Sequence, residues 1–206
     1  MKKVICMGSG KNMVLVNDWD TEGIKICGVN NTWRGTDKWD VLLHAGDYPY
    51  KREVQEARTR EDQLIVSREG IMGFKQSYVG MSDLPWEKAR IHLGLPIYFT
   101  MTYWALWHLK PDAIGFIGFD MNYNPGPKGE TAFYGKGFDM EKRGIPDPLY
   151  QFRTVPEYQK EGDNMINILF DRLEQRTPFT KLVNLSDDPE SILPWEQVTF
   201  EEFKSW

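Results

Sequence analysis

Only two cysteines and three histidines occur in the 206 residues. The two cysteines, Cys6 and Cys27, both stand in apolar, strand-like runs. They imply neither a disulfide framework nor a zinc site and read as small buried hydrophobes. Positive charge is short as well: 25 Lys and Arg against 30 Asp and Glu leave a net charge of −5. Binding nucleic acid over the whole surface needs clustered cations to neutralise phosphates, so that class is disfavoured, while a local patch stays open. Long apolar runs are missing too. The most apolar stretch, IYFTMTYWALWHL between Pro96 and Leu109, is short of the about 20 residues a bilayer-spanning helix needs. The N-terminal MKKVICMG loses its apolar character at Gly8, too soon for a signal peptide, so a cytoplasmic protein with no membrane partner is expected. No internal repeat or low-complexity segment is present.

What remains is ordinary globular composition, 41% hydrophobic and 27% charged, with a high aromatic share of 14%. The length suits one α/β domain spanning 1–206. The pattern predicts a single Rossmann-like domain with a mostly parallel sheet flanked by helices. Short apolar strands are expected at Val4–Met7, Ile24–Val29, Trp39–Leu43, Gln63–Ser67, Ala113–Phe119 and Lys181–Leu185. Helical segments are expected at Met13–Trp19, Lys51–Arg60, Pro85–Leu93, Pro96–Leu109 and Pro156–Gln175, with Glu69–Leu84 irregular and a tail ending in Trp206. In the basic segment Lys51–Glu61 both charge signs recur at helical spacing, as on a solvated helix face.

Four of these strands run directly into small, amide or acidic residues: GSGKN, NNTWR, HAGDYP and FDMNYN. If the strands are parallel, these loops share one edge, where ligands bind in open α/β sheets. In the first loop Gly8, Ser9, Gly10 and Asn12 resemble a phosphate-binding turn opening a helix, although the third glycine of a dinucleotide fingerprint is absent. After the second strand, Asn30, Asn31 and Arg34 replace the acid that usually holds a ribose. Their amides fit either a ribose or base contact or a turn that starts a short helix. Beyond the third and fifth strands, Asp120, Asp47 and His44 are the candidates for proton transfer. The loop 120–154 holds Asn122, Tyr123, Phe133 and Tyr134 among prolines and glycines, as a lid over substrate would. His92 and His108, inside helical patterns, read as structural.

The order GSGKN, VNNTW, LHAGDYP, IGFIGFDMNY and LVNLSDDPES resembles the family that unites small bacterial sialyltransferases with MptE-like 6-hydroxymethylpterin pyrophosphokinases, and short phage-encoded proteins share the pattern. The resemblance runs over most of the chain. In the sialyltransferase branch it implies a nucleotide or nucleotide-sugar ligand held by Gly8, Ser9, Gly10, Asn12 and Asn30 or Asn31. Gly118, Asp120, Tyr123 and Tyr134 then fall on a central substrate element. One departure is clear: that branch places a basic histidine before its last long helix, and here no histidine follows His108. The expected function is therefore transfer from a nucleotide-activated donor, most simply a glycosyl transfer with Asp120 or Asp47 as base and no required cofactor. The alternatives are a pyrophosphokinase in which Asp47 and Asp120 share Mg²⁺, and a non-catalytic protein that sequesters a nucleotide. A homo-oligomer stays open.

Overall fold

The computed structural model describes residues 1–44, 58–66, 70, 97–120, 170–171 and 173–206. Six strands form one sheet: β1 (Lys3–Met7), β2 (Lys25–Val29), β3 (Val41–Leu43), β4 (Leu64–Val66), β5 (Ala113–Ile117) and β6 (Lys181–Asn184). Their order is β4-β3-β2-β1-β5-β6, and every pairing is parallel. The α/β class and Rossmann-like sheet expected from the sequence are thus what the structure has. The chain steps outward from β1 to β4, then returns to lay β5 against the other side of β1. That reversal opens a crevice between the carboxyl ends of β1 and β5.

The strands read as apolar runs because both faces are covered. On one face Val4, Cys6, Val29 and Phe116 meet α1 (Ile97–Leu109), Phe170 and Leu173. On the other, Ile5, Met7, Ile117 and Val183 meet a 3-10 helix at Lys11–Asp18 and α2 (Phe200–Ser205). Each Val, Leu, Ile or Phe buried this way contributes roughly 1.5–3 kcal/mol. Cys6 and Cys27 lie fully inside as unbridged thiols. Burial pushes the Cys6 thiol up to about 12 and that of Cys27 well above its ordinary value, so both behave as inert core residues. The helix α1, apolar nearly all round, packs against β1 and β2. It ends where Lys110 takes a left-handed backbone (φ 46°) before Pro111, which turns the chain into β5.

Several boundaries differ from the sequence expectation. The segment after Gly10 is a 3-10 helix, tighter than the α-helix its apolar spacing implies. Of the expected helix Lys51–Arg60 only Arg58–Arg60 lie within the described residues, and they are not helical. Arg60 instead reaches Asp40 Oδ1 at 3.1 Å and the Trp39 carbonyl at 3.0 Å. Buried Gln63 makes the same connection, donating to the Asp37 and Trp39 carbonyls while its Oε1 accepts from the Thr59 and Arg60 N–H groups. These bonds tie the edge strand β4 to β3. The expected tail is in part α2, whose N-cap Thr199 accepts from the Glu202 N–H at 3.1 Å. That cap is worth about 1 kcal/mol, and Phe200 and Phe203 are buried beneath it. The expected segments Pro85–Leu93 and Glu69–Leu84, apart from Gly70, lie outside the described residues, as does most of Pro156–Gln175.

Candidate functional site

At the crevice the loops leaving β1 and β5 touch backbone to backbone. The Gly8 N–H donates to the Ile117 carbonyl at 2.8 Å, and the Gly10 N–H to the Gly118 carbonyl at 2.9 Å. A Cβ at Gly8 would overlap the Gly118 carbonyl, and one at Gly10 would stand 2.8 Å from it. Gly118 has φ +70°, and a Cβ there would lie 2.7 Å from the Gly8 carbonyl. Gly8 and Gly10 are therefore accounted for by this mutual approach, and their amides point into the sheet's own bonding. Gly118→Ala is expected to cost at least about 1–2 kcal/mol from its backbone conformation alone, before the clash is added. Urea unfolding should show a lower midpoint at unchanged slope; an unchanged midpoint would show that the two loops are not locked together.

Asp120 follows this contact directly, and only 7% of it is exposed. Burial raises its pKa above the ordinary carboxylate value, opposed by Ser186, Ser191 and Asn12 beside it, while the negative charge of Asp188 adds to the rise. These neighbours come from the first loop and from the loop after β6. Asn12 Nδ2 donates to Ser186 Oγ, which also accepts from the Asp188 N–H at 3.0 Å. The Ser186 N–H donates to Asn184 Oδ1 at 2.9 Å, and Asn184 Nδ2 to Ser191 Oγ at 3.1 Å. The Ile192 N–H closes the arrangement on the Asp120 carbonyl at 3.0 Å. Ser186, Asp188 and Ser191 were not among the candidates read from the sequence. The signal was present in LVNLSDDPES, a fifth strand end followed by small and acidic residues.

The ends of β2 and β3 flank this cluster on the same edge of the sheet. A second 3-10 helix, Asn30–Arg34, begins immediately at the end of β2. Asn30 has a left-handed backbone (φ 47°), a region asparagine enters more readily than most residues, which gives a local reason for its identity. Asn31 is buried, and the Arg34 guanidinium lies 5.1 Å from the centre of the Trp33 ring. His44, one residue beyond β3, is 3% exposed, and burial lowers its pKa to about 4. It is uncharged at neutral pH.

No family model, curated protein or solved structure matches the chain. The site must therefore be judged on its own chemistry. The parallel sheet gathers Gly8, Ser9, Gly10, Asn12, Asn30, Asn31, Arg34, His44 and Asp120 along one edge, with Asn12 and Asp120 in the same cluster. Asp47, Asn122, Tyr123 and Tyr134 lie outside the described residues. Among the described residues no three His, Cys, Asp or Glu side chains gather as metal ligands, and no helix is long and apolar enough to cross a membrane.

Proposed function

We propose that the protein transfers a group, most simply a glycosyl group, from a nucleotide-activated donor to a hydroxyl, with Asp120 as general base. The observation that carries this reading is a buried carboxylate of raised proton affinity at the topological switch point of a parallel sheet. A carboxyl that burial raises above the ordinary aspartate value takes up a proton more readily than an exposed one. Asp120 accepts the acceptor's hydroxyl proton as its oxygen attacks the anomeric carbon. The bond from that carbon to the phosphate oxygen breaks, and the nucleotide leaves with the electron pair. With the Gly8 and Gly10 amides engaged, the donor phosphates fall to Ser9 and to the start of the 3-10 helix at Lys11. Asn30, Asn31 and Arg34 then hold the nucleoside.

Thermal melting across a panel of nucleotides and nucleotide sugars, each with EDTA and with Mg²⁺, tests this. A ligand at 100 times its Kd adds about 2.7 kcal/mol to stability. A nucleotide or nucleotide sugar should stabilise the protein in EDTA, and an added hydroxyl acceptor should release the nucleotide. Stabilisation and turnover only with Mg²⁺ would replace this reading with pyrophosphoryl transfer. Tight binding without turnover under any metal condition would replace it with sequestration.

A further inference from the structure

At the amino ends of β5 and β6, on the sheet edge opposite Asp120, an open cleft of about 350 Å³ lies between the end of α1 and the turn before β6. Phe179 and Trp107 line it, 94% and 53% exposed. Among the described residues no other Phe, Tyr or Trp is exposed. Apolar residues scattered singly over a surface need no explanation, whereas two large aromatics on one rim do. Lys110 and Arg176 stand on the same rim, and neither makes an ion pair among the described residues. The carbonyl ends of α1 and of the helical residues 173–176 favour cations at these positions, but they do not account for the aromatics. The acid lining the cleft, Asp112, is already engaged, its Oδ2 accepting from the Lys2 N–H at 2.6 Å. Below the rim the polar groups bond within the fold. Thr180 Oγ1 donates to the Pro111 carbonyl at 3.0 Å, Thr177 Oγ1 to the Leu173 carbonyl at 2.9 Å and the Lys181 N–H to the Asp112 carbonyl at 2.8 Å. The rim is thus fixed to the two strands before anything binds, which lowers the entropic cost of docking.

We propose that this cleft docks an acidic peptide segment of a partner protein, which sets an apolar side chain against Trp107 and Phe179 and brings carboxylates to Lys110 and Arg176. Trp, Phe and Arg are the residue types enriched where protein partners meet, and a guanidinium can hold a carboxylate through two parallel hydrogen bonds. A nucleic acid suits the cleft less well, since two cations beside Asp112 neutralise too few phosphates. A small molecule suits it less well too. Small-molecule sites enclose most of the ligand, and here Phe179 stands almost wholly in solvent. Because the cleft lies on the edge away from Asp120, the proposal does not depend on the transferase reading.

NMR titration of the full chain tests this, following the Trp107 indole N–H, assigned with Trp107→Phe, and the Phe179 ring protons. The probes are blocked pentapeptides Glu-Asp-Xaa-Asp-Glu with Xaa as Phe, Leu or Ala, their Lys-Lys-Xaa-Lys-Lys counterparts, 3-phenylpropionate and oligothymidylate. Both signals should move saturably with the acidic Phe and Leu peptides, more weakly with the Ala peptide and not with the lysine series. Added salt should weaken the response, as it does between exposed charges. Phe179→Ala and Arg176→Gln should each weaken binding about tenfold with little change in melting temperature, because both side chains are exposed. Variants that bind as tightly as wild type would overturn the proposal. Equal response to the lysine peptides would do so as well, as would silence from the acidic peptides up to about 10 mM, tenfold above a millimolar Kd. Response to oligothymidylate alone would replace the peptide by a nucleic acid, and response to 3-phenylpropionate alone by a small aromatic acid. Self-association that Phe179→Ala abolishes, with no response to any peptide, would put a second copy of the chain in the cleft instead.

Discussion

Asp120→Asn is expected to melt at a higher temperature than the wild-type protein at neutral pH while turning over about 10²–10⁴ times more slowly. Both effects follow from one cause. Burial disfavours the charged carboxylate in the folded state, so its pKa lies above the unfolded value near 3.8. The folded protein then holds a proton that the unfolded chain has released, and stability falls as pH rises from the unfolded value through the folded one. The amide of Asn has nearly the same shape and no charge to bury, so this loss disappears, and Ser186, Ser191 and Asn12 can still bond to it. In the proposed transfer, however, the base has gone. The diagnostic is the pH dependence: wild type and variant should converge in melting temperature in acid and separate as pH rises. A variant that melts lower at every pH would show that the Asp120 charge is compensated within the fold, and the case for a poised base would fall with it.

The parts of this fold that were legible in the sequence are those fixed by local pattern. A strand buried on both faces has to be an apolar run, which is why β1, β2 and β5 could be placed to within about two residues. The parallel edge followed from the same runs, because each ends in residues unfit for a core. Spatial partnership was not legible. Nothing about Gly8 or Gly10 shows that Gly118 will lie against them, so a turn demanded by backbone contact reads as a phosphate cradle. The loop after β6 was missed for a related reason. Ser186, Asp188 and Ser191 look like any polar turn until Asn12, 174 positions earlier, is placed beside Ser186. Helix α2 was recoverable, since Thr199 and Glu202 stand at capping-box spacing and Phe200 and Phe203 share a face. Six residues are too few for periodicity to announce a helix.

His44 gives the second large effect, and it runs with acid rather than base. Its ring is 3% exposed, and burial lowers its pKa from 6.5 to about 4. Above pH 6.5 the folded and unfolded chains both hold it neutral, so it contributes nothing to pH dependence there. As pH falls from 6.5 towards 4 the unfolded chain takes up a proton that the folded protein refuses. Stability is lost across that window, approaching roughly 3 kcal/mol for the full gap, an order-of-magnitude figure. Replacing the ring by a group that does not titrate, as in His44→Gln, should flatten this limb whatever the variant's stability at neutral pH. Urea midpoints measured between pH 7 and pH 4 report the difference in slope, and the imidazole proton shifts report the titration directly. A His44 resonance that titrates near 6.5 in the folded protein would refute the burial argument. It would also return His44 to contention as the proton acceptor, because a ring of ordinary pKa exchanges protons readily at neutral pH. With the pKa near 4 the imidazole is a weak base at neutral pH, while the same desolvation moves the Asp120 carboxyl the opposite way, towards higher proton affinity.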